Sequence, residues 1–225
     1  MRLSAVVPTL NEARVVRALV GALAREVDEV VVADGGSEDD TVALAEAAGV
    51  VVVLAPRGRG RQLHAGAAAA TGDRLWFVHA DTRVEPGTGA ALRAATESWG
   101  CFATRVDSED LRLRFCGRWM TARARWTGSC TGDMGLWCDR ALYDALGGFA
   151  RLPAFEDLDF SDRARARAAW EVLAPPIGTS ARRWAENGVN RTILKMWALR
   201  LRYRMGADPI VLARRYSSSN PRLET

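Results

Sequence analysis

Val30-Val31-Val32-Ala33-Asp34-Gly35-Gly36-Ser37 is an apolar run that ends in a carboxylate and opens through two glycines toward Asp39 and Thr41. An uninterrupted apolar run is what a parallel strand buried on both faces requires. A carboxylate at the carboxyl end of such a strand, just before a helix, stands where open α/β sheets bind ligands. The pattern recurs. Leu3 to Val7 ends in Pro8, Thr9, Leu10, Asn11 and Glu12, and Leu75 to Val78 ends in His79, Ala80 and Asp81. Val50 to Leu54 leads into the basic turn Arg57-Gly58-Arg59-Gly60-Arg61. These strand ends bring carboxylates, an Asn and three arginines toward one edge. Such a set suits a nucleotide diphosphate, with acceptors for base or ribose, cations for phosphate and a carboxylate for a divalent metal.

Working outward, strands are expected near 3–8, 29–33, 50–55 and 75–79, alternating with helices near 12–25, 39–48, 61–71 and 87–97. This reads as βαβ units on a mostly parallel sheet. Asp39 or Ser37 is placed to cap the second helix. Beyond Gly100 the pattern predicts strands at Cys101 to Arg105 and Leu111 to Phe115, an arginine-rich helix at Gly117 to Arg125, and a turn-rich loop at Gly128 to Asp133. A short strand at Met134 to Cys138 and a helix at Arg140 to Leu146 follow, the helix ended by Gly147 and Gly148. Another helix opens at Phe155-Glu156-Asp157-Leu158-Asp159, with acids where the helix dipole favours them. Pro175 and Pro176 are expected to break the chain, and the stretch after Tyr216 reads as loose. Val189 to Arg204 mixes Ile193, Leu194, Trp197, Leu199 and Leu201 with Arg191, Lys195, Arg200, Arg202 and Arg204. Its apolar positions are expected to pack on the core, leaving the basic ones to water; the other reading is a basic amphipathic helix lying on a membrane.

With 225 residues, 48% of them hydrophobic, the chain is long enough for one full core with an appendage. It has no run of 18 apolar residues and starts directly in a strand, so a soluble cytoplasmic protein is expected, with 189–204 admitting peripheral contact with the inner membrane face. Cys101, Cys116, Cys130 and Cys138 form no CxxC pair and have no histidine cluster beside them, which argues against structural zinc and for free thiols. All but one of the 31 basic residues are Arg, and the net charge of +4 carries no nucleic-acid signal. Gly58 and Gly60 make no dinucleotide fingerprint, because Leu63 stands at the third glycine position.

Pro8, Thr9, Asn11 and Glu12, then Asp34 in Asp-Gly-Gly-Ser, then Asp81, then Glu156 and Asp157, appear in an order that resembles family 2 glycosyltransferases of the GT-A fold. His79 to Arg83, Gly132 to Gly135, Ser180 to Trp184 and Arg191 to Leu194 are also similar to the bacterial "transferase 2" subgroup of arsenosugar-biosynthesis glycosyltransferases. The resemblance implies a single GT-A domain over 1–216: a nucleotide-binding half at 1–100, an acceptor-binding half with C-terminal helices at 101–216, and a tail at 217–225. The implied activity is inverting transfer of a sugar from a nucleotide-diphosphate sugar, a UDP-sugar first, to a small-molecule, glycan or lipid acceptor. A membrane-surface transferase with a lipid or lipid-phosphate acceptor is one alternative, and a noncatalytic nucleotide-binding scaffold is another.

The same resemblance assigns roles. Pro8, Thr9, Asn11, Glu12, Asp34 and Gly35 are implied to hold nucleobase and ribose, and a carboxylate at Asp34 would accept the N3 hydrogen of uracil. The plainer reading of Asp34 is a cap for the turn before Ser37. Arg57 and Arg61 would meet the pyrophosphate. His79, Ala80 and Asp81 stand at the family's Asp-x-Asp motif, with Asp81 the implied ligand of Mn²⁺ or Mg²⁺ and His79 in place of the first acid. Asp157 matches the family's general base and Glu156 its neighbour in the acceptor pocket; on the residues alone, both also suit a helix start. Gly132, Asp133, Arg182, Arg183 and Trp184 are implied around the sugar and acceptor.

Overall fold

The computed structural model describes residues 1–217, except the side chains of Arg183, Glu186 and 215–217. The part of the expected tail from 218 onward lies outside the described residues.

The first half alternates as the apolar runs dictate: β1 (Leu3–Thr9), α1 (Val16–Leu23), β2 (Glu29–Asp34), α2 (Thr41–Ala47), β3 (Val51–Leu54), α3 (Arg59–Ala69), β4 (Arg74–Phe77), β5 (Thr82–Arg83) and α4 (Thr88–Ala94). The second half adds β6 (Trp99–Asp107), α5 (Leu111–Thr127), a 3₁₀ turn at Gly132–Met134, β7 (Trp137–Asp139), α6 (Arg140–Ala145), α7 (Glu156–Arg165), β8 (Glu171–Ser180), α8 (Arg182–Asn187), α9 (Val189–Arg204) and α10 (Pro209–Ser217).

One sheet runs in the order β3-β2-β1-β4-β7-β6-β8-β5. The four strands β3, β2, β1 and β4 are mutually parallel, and β7 is antiparallel to both β4 and β6. Side chains alternate across the sheet as a pleated strand requires. Leu3, Ala5 and Val7 pack with α1 and Leu92 on one face, whereas Val6, Val31, Leu75 and Phe77 pack with α3, α5 and α7 on the other. A third cluster ties α9 and α10 to α7 through Leu158, Leu199 and Leu212, with Phe155 stacked on Tyr203 at 5.4 Å. All four cysteines are free thiols.

Three expectations change. Leu111 to Phe115 is the first part of α5 and not a strand, because Asp110 accepts the Arg112 amide and starts a helix that continues to Thr127. Pro175 and Pro176 do not break the chain: β8 passes through them, and its pairing with β6 shifts register between Phe102 and Thr104, where two missing donors do no harm. In α9 only Thr192 and Leu199 are buried, while Leu194, Trp197 and Leu201 are exposed, so its apolar positions do not all pack on the core.

Asp34 is fully buried at the end of β2. Its Oδ1 accepts the amides of Gly36 (2.9 Å) and Ser37 (2.7 Å), and its Oδ2 accepts the hydroxyls of Thr9 (2.9 Å) and Ser37 (2.6 Å). Asn11, in the left-handed region at φ 54°, stitches the two turns together by donating its amide to Ser37 Oγ and accepting from the Glu38 amide. Asp39 accepts the Thr41 amide at the start of α2, whereas Ser37 is used by Asp34 and Asn11. Asp34 is thus the organiser of the turn, with both oxygens occupied.

Asp34→Ala leaves these buried donors without an acceptor and is expected to cost about 3–5 kcal/mol in urea unfolding. A variant stable to within about 0.5 kcal/mol of the parent would contradict this structural role.

Candidate active site

The sheet places the site. The chain moves outward from β1 through β2 to β3 and then returns through α3 to β4 on the other side of β1, so the carboxyl ends of β1 and β4 flank a topological switch point. A cleft of about 1180 Å³ opens there. Pro8, Thr9, Leu10 and Glu12 line it from the end of β1, and His79, Ala80 and Asp81 from the end of β4. Eight arginines line it against four acids, an excess of cations suited to phosphate.

Arg57, Arg59 and Arg61 reach the cleft around the first turn of α3, which has no acid in that turn. A helix N-terminus with cations at its mouth is a favourable place for an anion. Gln62, one turn in, donates to the carbonyls of Thr9 (2.7 Å) and Ala33 (3.0 Å), tying α3 to the ends of β1 and β2. Gly60 lets α3 approach α7: a Cβ there would lie 2.8 Å from the Ala150 carbonyl and 3.3 Å from Glu156 Cβ.

Opposite, α7 starts at Glu156 behind Phe155, which holds φ 65°. Asp157 lines the cleft, and its Oδ2 accepts the Gly132 amide at 2.8 Å. Gly132 also brings the β4 end close, since a Cβ on it would collide with His79 Nε2. The loop before β7 and the end of β4 are thereby packed against the start of α7. Burial raises the Asp157 pKa, opposed by the Gly132 hydrogen bond. Glu156 is buried and pushed up to about 7 by desolvation, opposed by Arg59, whose guanidinium is 3.7 Å away, and reinforced by the Asp157 charge. Its Oε1 makes no hydrogen bond among the described residues.

Of the expected site residues, Pro8, Thr9, Glu12, Arg57, Arg61, His79, Ala80, Asp81, Asp133, Asp157, Arg182 and Trp184 line this one cleft. Asp34, Gly35, Asn11, Gly132 and Glu156 are not among its lining residues. The first three build the stitched turn beneath the β1 end, and the last two set the position and charge of Asp157. Thr9 has its hydroxyl committed to Asp34. The side chain of Arg183 lies outside the described residues. Gln62, Arg123 and Arg151 also line the cleft, and no sequence signal marked them.

Among the described residues, no group of three or more His, Cys, Asp or Glu is arranged to hold a metal ion. A dedicated protein cage therefore does not fit. Asp81, in the cleft just after β4, fits a Mg²⁺- or Mn²⁺-type ion that takes its remaining ligands from substrate phosphates and water.

Residues 4–99 match the family model "Glycosyl transferase family 2". The chain is similar to residues 1–349 of TarS from S. aureus at 20% identity and a TM-score of 0.63, covering 81% of this chain and 61% of that one. It is equally similar to TarS in complex with UDP-GlcNAc, at 20% identity and a TM-score of 0.63 over 80% of this chain and 58% of that one. Glucosyl-3-phosphoglycerate synthase from Mycobacterium tuberculosis, in complex with Mn²⁺, UDP and glucosyl-3-phosphoglycerate, is similar at 22% identity and a TM-score of 0.56, over 80% of this chain and 70% of that one. At these identities the likeness shows a shared fold, and the mixed sheet flanked by helices is the GT-A arrangement. The chain spans about three fifths of the TarS chain it matches. No curated protein matches this chain.

The raised pKa of Glu156 has a consequence for stability. A folded-state pKa above the unfolded value means that ionising the group costs folding energy, so its effect is absent below the ordinary carboxylate range and grows until pH passes about 7. Glu156→Gln removes the ionisation and is expected to exceed the parent in stability by about 1–3 kcal/mol at pH near 8, the difference vanishing below pH of about 4. Urea unfolding across that range checks it; a difference independent of pH contradicts it.

Proposed function

We propose that this protein is an inverting family 2 glycosyltransferase that moves a sugar from a UDP-sugar to a hydroxyl of an acceptor, with Asp157 as the general base. The observation that carries the reading is one cleft at the switch point, where the ends of β1 and β4 and the arginine-bearing start of α3 face Asp157. The family match over 4–99 covers the strand ends on the donor side. The UDP-GlcNAc bound to TarS and the UDP bound to the M. tuberculosis synthase support a uridine donor.

In this reading the diphosphate lies at the N-terminus of α3 between Arg57 and Arg61, where charge-assisted hydrogen bonds and the helix dipole stabilise the departing nucleotide. Asp34 does not read the base; it fixes the turn on which the base rests. The acceptor oxygen bonds to the anomeric carbon as the bond from that carbon to the phosphate oxygen breaks, its electron pair leaving with UDP. Asp157 Oδ2, oriented by the Gly132 amide, takes the acceptor's proton. Burial, by raising the Asp157 pKa, makes it a stronger base than a solvated carboxylate. Asp81 would hold a Mn²⁺ or Mg²⁺ ion carried by the diphosphate, which adds charge neutralisation at the leaving group. The subgroup likeness bears on site positions and not on the acceptor.

Calorimetric titration with UDP, GDP and CDP, with and without Mn²⁺, tests the donor assignment. UDP should bind most tightly, with Mn²⁺ adding roughly tenfold and Asp81→Asn removing that gain. Arg57→Ala with Arg61→Ala should weaken UDP by about 10–100-fold. Asp157→Asn should keep UDP affinity within about threefold while turnover falls by about 10²–10⁴-fold. Binding indifferent to base and metal, or an Asp157→Asn enzyme at the parent rate, would overturn the reading.

A further inference from the structure

The cleft has a second character at its far end. Where α5, α9 and α10 form its wall, Trp119, Ile193, Met196, Trp197 and Ile210 line it beside Arg123, Arg200 and Arg214. Four residues, Cys116, Trp119, Ile193 and Trp197, are shared with an apolar groove of about 440 Å³ between α5 and α9, which Leu111 and Phe115 extend outward. The groove and the cleft are therefore continuous.

Around that groove the protein exposes what a folded surface ordinarily hides. α5 packs on the core through Leu113, Gly117, Met120 and Ala124. Its other side presents Leu111, Phe115 and Trp126 at 73, 66 and 73% exposure. α9 presents Leu194, Trp197 and Leu201 at 67, 53 and 62%. Trp119 bridges the two helices, 6.3 Å from both the Trp126 and the Trp197 ring. An apolar face of this extent marks a docking surface.

Its charge selects the occupant. α5 carries five arginines and α9 four arginines and a lysine, and neither helix contains an Asp or Glu. Asp110 and Asp162, outside the two helices, pair with Arg112 and Arg204, and the other eight cations leave this side with an excess of positive charge. Arg191 lies one turn from Lys195 and helps to lower its pKa, after desolvation, a repulsion that a nearby anion would relieve. A second copy of this face would bring like charges together, so self-association is disfavoured. Aromatic side chains among arginines, without acids, match the boundary of an anionic lipid bilayer, where rings sit at headgroup depth and cations meet phosphates. No helix among the described residues is long and apolar enough to cross a membrane, so the contact is with its surface.

We infer that α5 and α9 dock this protein on an anionic lipid bilayer, and that the transferase acceptor is an amphiphile whose hydrocarbon part lies in the groove while its polar end reaches the cleft. The docking stands on the face alone; the acceptor class rests on the transferase reading above.

Co-sedimentation with phosphatidylcholine vesicles, with and without about 30% phosphatidylglycerol, tests the docking. Partitioning should be at least about tenfold greater with the anionic lipid and should fall in about 0.5 M NaCl. Two surface variants, Trp126→Ser with Leu194→Ser and Arg118→Glu with Arg125→Glu, should each lower it at least about tenfold, with UDP affinity unchanged as the control for folding. Equal partitioning to neutral and anionic vesicles overturns the inference. So does binding that the Trp126 and Leu194 changes leave intact, since diffuse charge alone would then explain it, or a stable dimer in light scattering that these changes dissolve. Vesicle binding without UDP binding would leave the docking standing and remove the transferase reading.

Discussion

A single buried carboxylate, Asp34, sets the geometry on which the candidate site depends. Four donors from two adjacent turns converge on its oxygens, so the end of β1 and the turn after β2 are fixed as one unit. Gln62 extends that unit to α3 by bonding the carbonyls of Thr9 and Ala33. The arginines at the start of α3 therefore stand on a rigid base. Burying an ionised group without partners would be prohibitive, and the full set of donors makes its burial compatible with folding.

The second constraint is close approach. Gly60 and Gly132 lack the side chains that would push α3 from α7 and the loop before β7 from His79. With those gaps closed, the amide of Gly132 fixes Asp157, and Glu156 is buried beside Arg59. The two neighbouring carboxylates differ in environment: Asp157 meets the cleft, and Glu156 is enclosed. Separate environments for paired acids are a common way to give them separate protonation behaviour.

Much of this was legible in the sequence because parallel strands are apolar on both faces and announce themselves as short runs such as Val30 to Ala33. Their ends, and hence the positions of Thr9, His79, Asp81 and Arg57, followed from the alternation of strand and helix. What was not legible depended on tertiary context. Leu111, Leu113 and Phe115 alternate with Arg112 and Arg114, a period-two pattern that reads as a strand, yet the Asp110 cap starts a helix there and leaves Leu111 and Phe115 exposed. Asp34 and Thr9 both stand at strand ends, yet only Thr9 lines the cleft, while Asp34 is buried beneath it with its oxygens taken by Thr9, Gly36 and Ser37. Gln62 carried no signal, since a lone amide in a small-residue helix reveals nothing about the carbonyls it will meet. The exposure of Leu194, Trp197 and Leu201 was hidden for the same reason: helical spacing does not say whether an apolar face has a partner.

The arginine-lined strand ends and the apolar groove share one cleft, and the proposed function puts the nucleotide at the arginine end. A crystal structure of the protein grown with UDP and Mn²⁺ tests it most directly. The diphosphate is expected at the start of α3, between Arg57 and Arg61, with the metal against Asp81 and Asp157 left facing open space for an acceptor. A nucleotide seated instead between Trp119 and Trp197, or a metal held away from Asp81, would contradict it.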